Sequence, residues 1–507
     1  MKKKILFLVI TTATIFSSAI TGFAESVTNP QVVQNGFSFK FMFKSFFESD
    51  SAVIVAAAVL VLFLLLLIFR KKLKRKLDNT TASQLINTFI LFFSVSGIAC
   101  LAMAFATDGE TWSNLMHTNT ETNLILTQFE DYILNLQSAG SRQFYETATT
   151  NTPFSHLVYF ILAQFLPTNL LFSNPAVIYA QILKDQTFMY LYLILVMFCV
   201  VLLYRMNRSV LRNNGLNMRD EVVAFLFAVS YPAIFCIEKG NITSFSIVLV
   251  MIFITLRGSE KSLLKELSLL AIAVSAAITP YTLIFALLLF DEKGKQAVLK
   301  FARTVLYFLI LFITPAVFTG FGNLLTYTKA FLDVSAKGFI PGNMSIVNLL
   351  HFFGISNTIV IYAIILLTDA IAVLAMMMLP NMWQKTAAAT YIILNVFAFS
   401  DASAAMFVFI PLVFLFAEKE HKASGWVYML TFALLITPFP EWFRADINRF
   451  SIFLTSFGIS DIQNANNLIS TAATQFILII LFYQIIRKMK SKKLAKQEIP
   501  TEQISDN

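Results

Sequence analysis

The sequence predicts an all-α integral membrane protein, and three observations carry that prediction. Hydrophobic residues make up 57% of the 507 and charged residues only 13%, more apolar material than a soluble core of this length uses. Many apolar runs reach the roughly 20 residues a helix needs to cross a hydrocarbon core of about 30 Å, which favours helices over a barrel. Lys and Arg also alternate sharply from one loop to the next.

The first 24 residues join a basic start at Lys2 to Lys4, an apolar stretch and the small residues Gly22 and Ala24. That is the pattern of a secretory signal peptide or of an uncleaved anchor, and either places residues 27–50 outside the membrane. About thirteen spans follow, near 51–69, 84–106, 186–206, 221–237, 242–257, 263–278, 280–291, 299–319, 357–378, 385–400, 404–417, 423–439 and 465–486. Alternate loops and the tail from Arg487 hold 26 basic residues, and the opposite side holds nine. This bias puts the tail in the cytoplasm and the long connections 107–185, 320–356 and 440–464 outside. The chain then divides into the signal or anchor segment 1–24; residues 25–83 with an outer segment, one extra span and the basic loop "RKKLKRK"; a membrane core 84–440; a last outer loop and span 441–487; and the tail 488–507.

Several function classes drop out. The net charge of +9 is accounted for by membrane side, so it does not point to nucleic acid. Cys100, Cys199 and Cys236 all lie in apolar segments without metal-ligand spacing, and neither a GxxxxGK[ST] loop nor an HExxH motif occurs. The runs 263–278 and 280–291 are short, as are 385–400 and 404–417; each pair reads as two short spans or one broken, re-entrant unit. "PFSHLVYFILAQFLP", from Pro153, is expected to lie in or on the membrane within the first outer loop.

Candidate chemistry concentrates outside. The first outer loop carries Asp108, Glu110, Glu121, Glu130, Asp131 and Glu146. A group transfer to a hydroxyl needs a carboxylate beside the acceptor proton, and the adjacent Glu130 and Asp131 suit that role. Neighbours on a helix diverge by about 100°, so one of them faces a given site, and Asp131 is favoured because Ile133, Leu134 and Leu136 suggest a helix on the membrane. A plain solvated acidic loop is the competing reading. His117 and His156 read as packing or surface residues. Asp369, mid-span in "IYAIILLTDAIAVLA", is either an interhelical contact or part of an ion path. The outer turn "EKGN", Glu238 to Asn241, interrupts two apolar runs and is either a simple reversal or a substrate contact.

Together, a first-loop carboxylate, "YETATTNTPFSHLVYFIL", "EKGNITSFSIVLVMIFI", "AAITPYTLIFALLLF" and "GFIPGNMSIVNLLHFFG" resemble the polyprenyl-phosphate-sugar-dependent glycosyltransferases of the GT-C superfamily, in particular family 87 with its mannosyltransferases. The resemblance covers roughly residues 85–440 and rests on the order of the elements. It implies a GT-C-type multi-helix bundle in the cell membrane, a polyprenyl-phosphate-linked sugar donor, a glycan or glycolipid acceptor of the cell envelope, and an active site on the extracytoplasmic face. Asp131 looks like the family's base, with Glu130 as the second member of its acidic pair. Lys239, Gly240 and Asn241 match the basic-Gly-polar hairpin that would bind the donor phosphate, with Arg142 as the other first-loop cation. Tyr145, Asn343, Ser345 and Asp401 match further substrate-contacting elements. No cofactor and no resident metal are implied, a divalent ion at Glu130 and Asp131 being the alternative. Departures stand out: a single Pro153 where the family has tandem proline, Thr279 where it has a basic residue before Pro280, and "SDASAAMF" for its late Ser-Pro element. A transporter or flippase of lipid-linked glycans, and a non-catalytic relative, are the competing readings.

Overall fold

The computed structural model describes residues 82–106, 129–141, 152–164, 187–212, 218–228, 230–292, 294–319, 321–322, 344–352, 355, 357–396, 403–418, 423–436 and 462–497. These are all-helical, without a strand among them. A bilayer leaves no water to satisfy backbone N–H and C=O groups, and helices satisfy them internally. In order the α-helices are α1 (Ala82–Ala106), α2 (Glu130–Ser141), α3 (Pro153–Ala163), α4 (Thr187–Arg212), α5 (Met218–Ala228), α6 (Tyr231–Lys239), α7 (Thr243–Leu256), α8 (Ser262–Ile278), α9 (Lys295–Thr319), α10 (Ile346–Phe352), α11 (Thr358–Met378), α12 (Met382–Val396), α13 (Phe409–Phe416), α14 (Ala423–Ile436) and α15 (Ile462–Gln497). Two 3-10 helices, Pro280–Asp291 and Ala404–Val408, complete them.

Five of the helical stretches are long and apolar enough to cross a membrane: Tyr190–Leu211, Glu221–Lys239, Lys295–Val317, Ile359–Met378 and Ser470–Ser491. Six shorter apolar helices accompany them, so the expected spans at 84–106, 242–257, 280–291, 404–417 and 423–439 are present as helices of 10–17 residues in their described apolar portions. The first expected span, 51–69, lies outside the described residues. On α11, Ile361, Ile365, Ala372 and Ala375 are buried while Ile359, Leu366, Leu367 and Leu374 are exposed, so one apolar stripe meets protein and the other suits lipid. Small residues bring backbones close: Ala271, Ala273, Ala276 and Ala277 on α8, and Ala387 to Ala389 on α12, are buried.

The basic loops that charge counting places on one side meet at one end of the bundle. Arg257 pairs with Asp291 at 3.1 Å, Lys385 reaches the same carboxylate, Arg303 pairs with Glu266 at 2.5 Å and Lys300 with Glu292 at 2.5 Å. Lys488 of α15 donates to the Met378 carbonyl, and Gln384 to Gln484 at 2.8 Å. The final helix is thereby built into the bundle.

At the opposite end α8 breaks at Thr279. The following proline forces Thr279 out of the helical region, to φ −134° and ψ 91°. The chain resumes as a 12-residue 3-10 helix, whose rise of roughly 2.0 Å per residue lets a short segment cover about 24 Å. Hydroxyls cover the carbonyls that the break releases. Thr152 donates to Ala277 O, Ser155 to Ile278 O at 3.2 Å and Thr282 to Thr279 O at 2.9 Å. Thr279 itself pairs with Ser246 across 2.6 Å. Each of these side chains is buried. An uncovered carbonyl there would cost a kilocalorie or more. Thr152→Val is therefore expected to destabilise the detergent-solubilised protein by roughly 1–2 kcal/mol, read as a lowered Tm, whereas Thr88→Val, whose hydroxyl bonds its own helix, leaves Tm nearly unchanged.

Candidate functional site

The site begins at the end of α6. Gly240, at φ +73°, closes the helix in a left-handed turn: its N–H bonds Ile237 O at 3.2 Å and that of Asn241 bonds Cys236 O at 2.9 Å. This is the paired-bond helix ending that glycine favours, because a Cβ would be strained there. Asn241 stands two residues before α7, its Oδ1 accepting from Thr243 N at 2.9 Å and from Thr243 Oγ1 at 2.6 Å. The Tyr192 hydroxyl of α4 shares its proton between Cys236 O at 3.1 Å and Asn241 O at 3.0 Å.

Onto this turn docks the start of α2. Phe129 N–H donates to Glu238 O at 2.6 Å, and Phe129 takes a positive φ of 58°, the only non-glycine among the described residues to do so. A Cβ on Gly240 would stand 2.6 Å from Tyr132 Cβ and 3.0 Å from Tyr132 N, so the absence of a side chain is what admits α2. Tyr132, Ile133, Leu136 and Ala139 form its buried face, and the rings of Phe129 and Tyr132 pack on Tyr192 with centroids 5.7 and 4.9 Å away. Asp131, half-buried on the first turn, is brought to the turn: Asn241 Nδ2 donates to Asp131 Oδ2 at 3.4 Å. Burial pushes the Tyr132 and Tyr159 phenols up, and the Asp131 charge adds to the effect on Tyr159. These phenols stay neutral near pH 7. Burial pushes the His156 imidazole down to about 4, in keeping with its reading as a packing residue.

No protein-family model, curated protein or solved structure matches the chain. The site therefore rests on its own geometry.

Of the residues singled out in the sequence, Asp131, Lys239, Gly240 and Asn241 are brought together at this turn, with Lys239 half-buried on the last turn of α6. The late element also approaches, the Cys236 Sγ lying 4.0 Å from Ser403 O. Glu130 opens α2, but its side chain lies outside the described residues, as do Arg142, Tyr145, Asn343, Asp401 and His117. Thr279 belongs to the buried hydroxyl network beneath, linked through Ser246 to α7.

Ser345 is buried beside the start of α10. That start is held by Asn395, whose Oδ1 accepts from Ile346 N at 3.1 Å and from Gln475 Nε2 at 3.0 Å. The same Asn395 donates to Thr368 Oγ1 at 3.1 Å and to Asp369 Oδ1 at 3.3 Å. Tyr391 closes the group by donating to Gln475 Oε1 at 3.0 Å. Asp369 thus has the interhelical contact that its bland reading called for. Sequence reasoning missed Asn395 and Gln475; lone amides in "YIILNVF" and "TQFILII" were the available signal.

Gly240→Ala is expected to separate α2 from the turn. Backbone amides 130–136 would lose hydrogen-exchange protection, and the left-handed strain alone contributes about 1 kcal/mol. Gly258→Ala, with open space at its Cβ position, is the unaffected control.

Proposed function

We propose that this chain is a membrane glycosyltransferase that moves a hexose, mannose foremost, from a polyprenyl-phosphate donor to a glycan or lipid acceptor on the extracytoplasmic face. One observation carries the reading: Asp131 and Asn241, 110 positions apart and drawn from the two elements that the resemblance assigns to base and donor, are in hydrogen-bond contact. In the reaction the acceptor oxygen bonds to the sugar's anomeric carbon and the bond from that carbon to the phosphate oxygen breaks. The acceptor proton passes to the Asp131 carboxylate and polyprenyl phosphate leaves. Lys239 supplies a point charge for that phosphate, next to the turn where Gly240 lets backbone approach closely. An apolar groove for the lipid tail, Arg142 as second cation, and Tyr145, Asn343, Ser345 and Asp401 as sugar or acceptor contacts complete the proposal.

Asp369 favours a second reading, transport of a lipid-linked glycan, because it places an acidic group in an amide network at mid-span. The two readings separate by mutation. With radiolabelled polyprenyl-phosphate mannose and membranes containing the chain, Asp131→Asn is expected to cut transfer by about 10²- to 10⁴-fold, and Lys239→Ala to raise the donor KM. Absence of transfer by the wild-type chain, with cellular function kept in Asp131→Asn and lost in Asp369→Asn, would instead favour the transporter.

A further inference from the structure

The bonds of Asn241 fix which end of its amide meets Asp131. A backbone N–H can only donate, so the atom accepting from Thr243 N at 2.9 Å is the oxygen, and the Thr243 hydroxyl engages that same atom. The amide is planar, so its NH₂ end is the one turned toward Asp131 Oδ2 at 3.4 Å. The backbone of Asn241 is held as well, by Cys236 O on its N–H and by Tyr192 on its carbonyl. A side chain anchored at its oxygen and pointing an N–H at a carboxylate orients that carboxylate. A donor phosphate, the partner that the family resemblance gives it, would have to share the NH₂ end with Asp131.

We infer that Asn241 is a positioning residue for Asp131: its amide, braced by Thr243, holds the Oδ2 oxygen of the carboxylate in one orientation. The inference rests on the reading of Asp131 as general base, and it moves Asn241 from the donor side of the site to the acceptor side. An N–H donor is what a carboxylate acting as proton acceptor tolerates at this distance, whereas a second carboxylate there repels it. Asn241→Asp is therefore informative. Aspartate still caps Thr243 N–H, so the turn keeps its bonds while a like charge replaces the donor.

The experiment treats the full-length protein in detergent with a water-soluble carbodiimide and glycine methyl ester, which couple to protonated carboxyls, and maps modification of Asp131 by mass spectrometry against pH. In Asn241→Asp the midpoint for Asp131 is expected to move up by about one pH unit or more relative to the wild type. An unchanged midpoint in a folded variant overturns the inference. Should that variant not fold, Asn241→Ser serves, since serine caps Thr243 N–H but offers no amide to Asp131. The serine variant is expected to lower kcat several-fold at unchanged donor KM; a raised donor KM at unchanged kcat would return Asn241 to the phosphate and overturn the inference. Failure of the wild-type chain to transfer any sugar would sink the general-base reading alone, because the carbodiimide midpoint reports the Asn241–Asp131 contact without turnover.

Discussion

The candidate site depends on one docking event, the seating of the first turn of α2 on the glycine turn after α6. Phe129 N–H meets Glu238 O, and Gly240 leaves the room that Tyr132 fills. The positive φ of Phe129 costs about 1 kcal/mol in a residue with a side chain. The bond to Glu238 and the packing of its ring on Tyr192 offset that cost. Asp131 reaches Asn241 only because this joint fixes the start of its helix, and Tyr192 braces the turn from the other side. Strain of this kind, local and over-determined by its surroundings, is characteristic of sites where geometry has to be held.

A second constraint works beneath the joint. Backbone at membrane depth must be paired, and the break at Thr279 releases carbonyls that no helix can satisfy. Hydroxyls from the start of α3 and from the 3-10 helix Pro280–Asp291 take them up, so the first-loop helix α3 is tied to the break by Thr152 and Ser155. The same logic governs a second part of the bundle, where Asn395 uses both of its donors and its oxygen twice over to join α10, α11, α12 and α15. Polar side chains in apolar helices serve here as fasteners, each bond internal and each element fixed by a long-range partner.

What the sequence made legible follows from range. Apolar runs gave the helices to within a few residues, as 280–291 and 357–378 show against Pro280–Asp291 and Thr358–Met378, and basic residues predicted which loop ends would meet. The turn at Gly240 was legible too, because a glycine between apolar runs has a local cause. Periodicity carried no sign that Pro280–Asp291 would wind as a 3-10 helix, since its apolar character is uniform around the axis. Nor could spacing show that Thr279, read as a missing cation, would pair with Ser246, or that Asn241, read as a phosphate ligand, would present its amide to Asp131. Those facts depend on which helix lies beside which. Long-range contact of that kind is absent from local pattern.

The joint between α2 and the turn can be tested by a disulfide. In a chain whose Cys100, Cys199 and Cys236 are replaced by alanine, the pair Asp131→Cys with Asn241→Cys would put two thiols across the joint, at positions whose native side-chain tips, Asn241 Nδ2 and Asp131 Oδ2, lie 3.4 Å apart. Mild oxidation should join them, protecting both from alkylation and keeping the fragments together after cleavage of the intervening chain until reductant is added. Full alkylation of both thiols under oxidising conditions, in protein that remains folded, would contradict the docking on which the site is built.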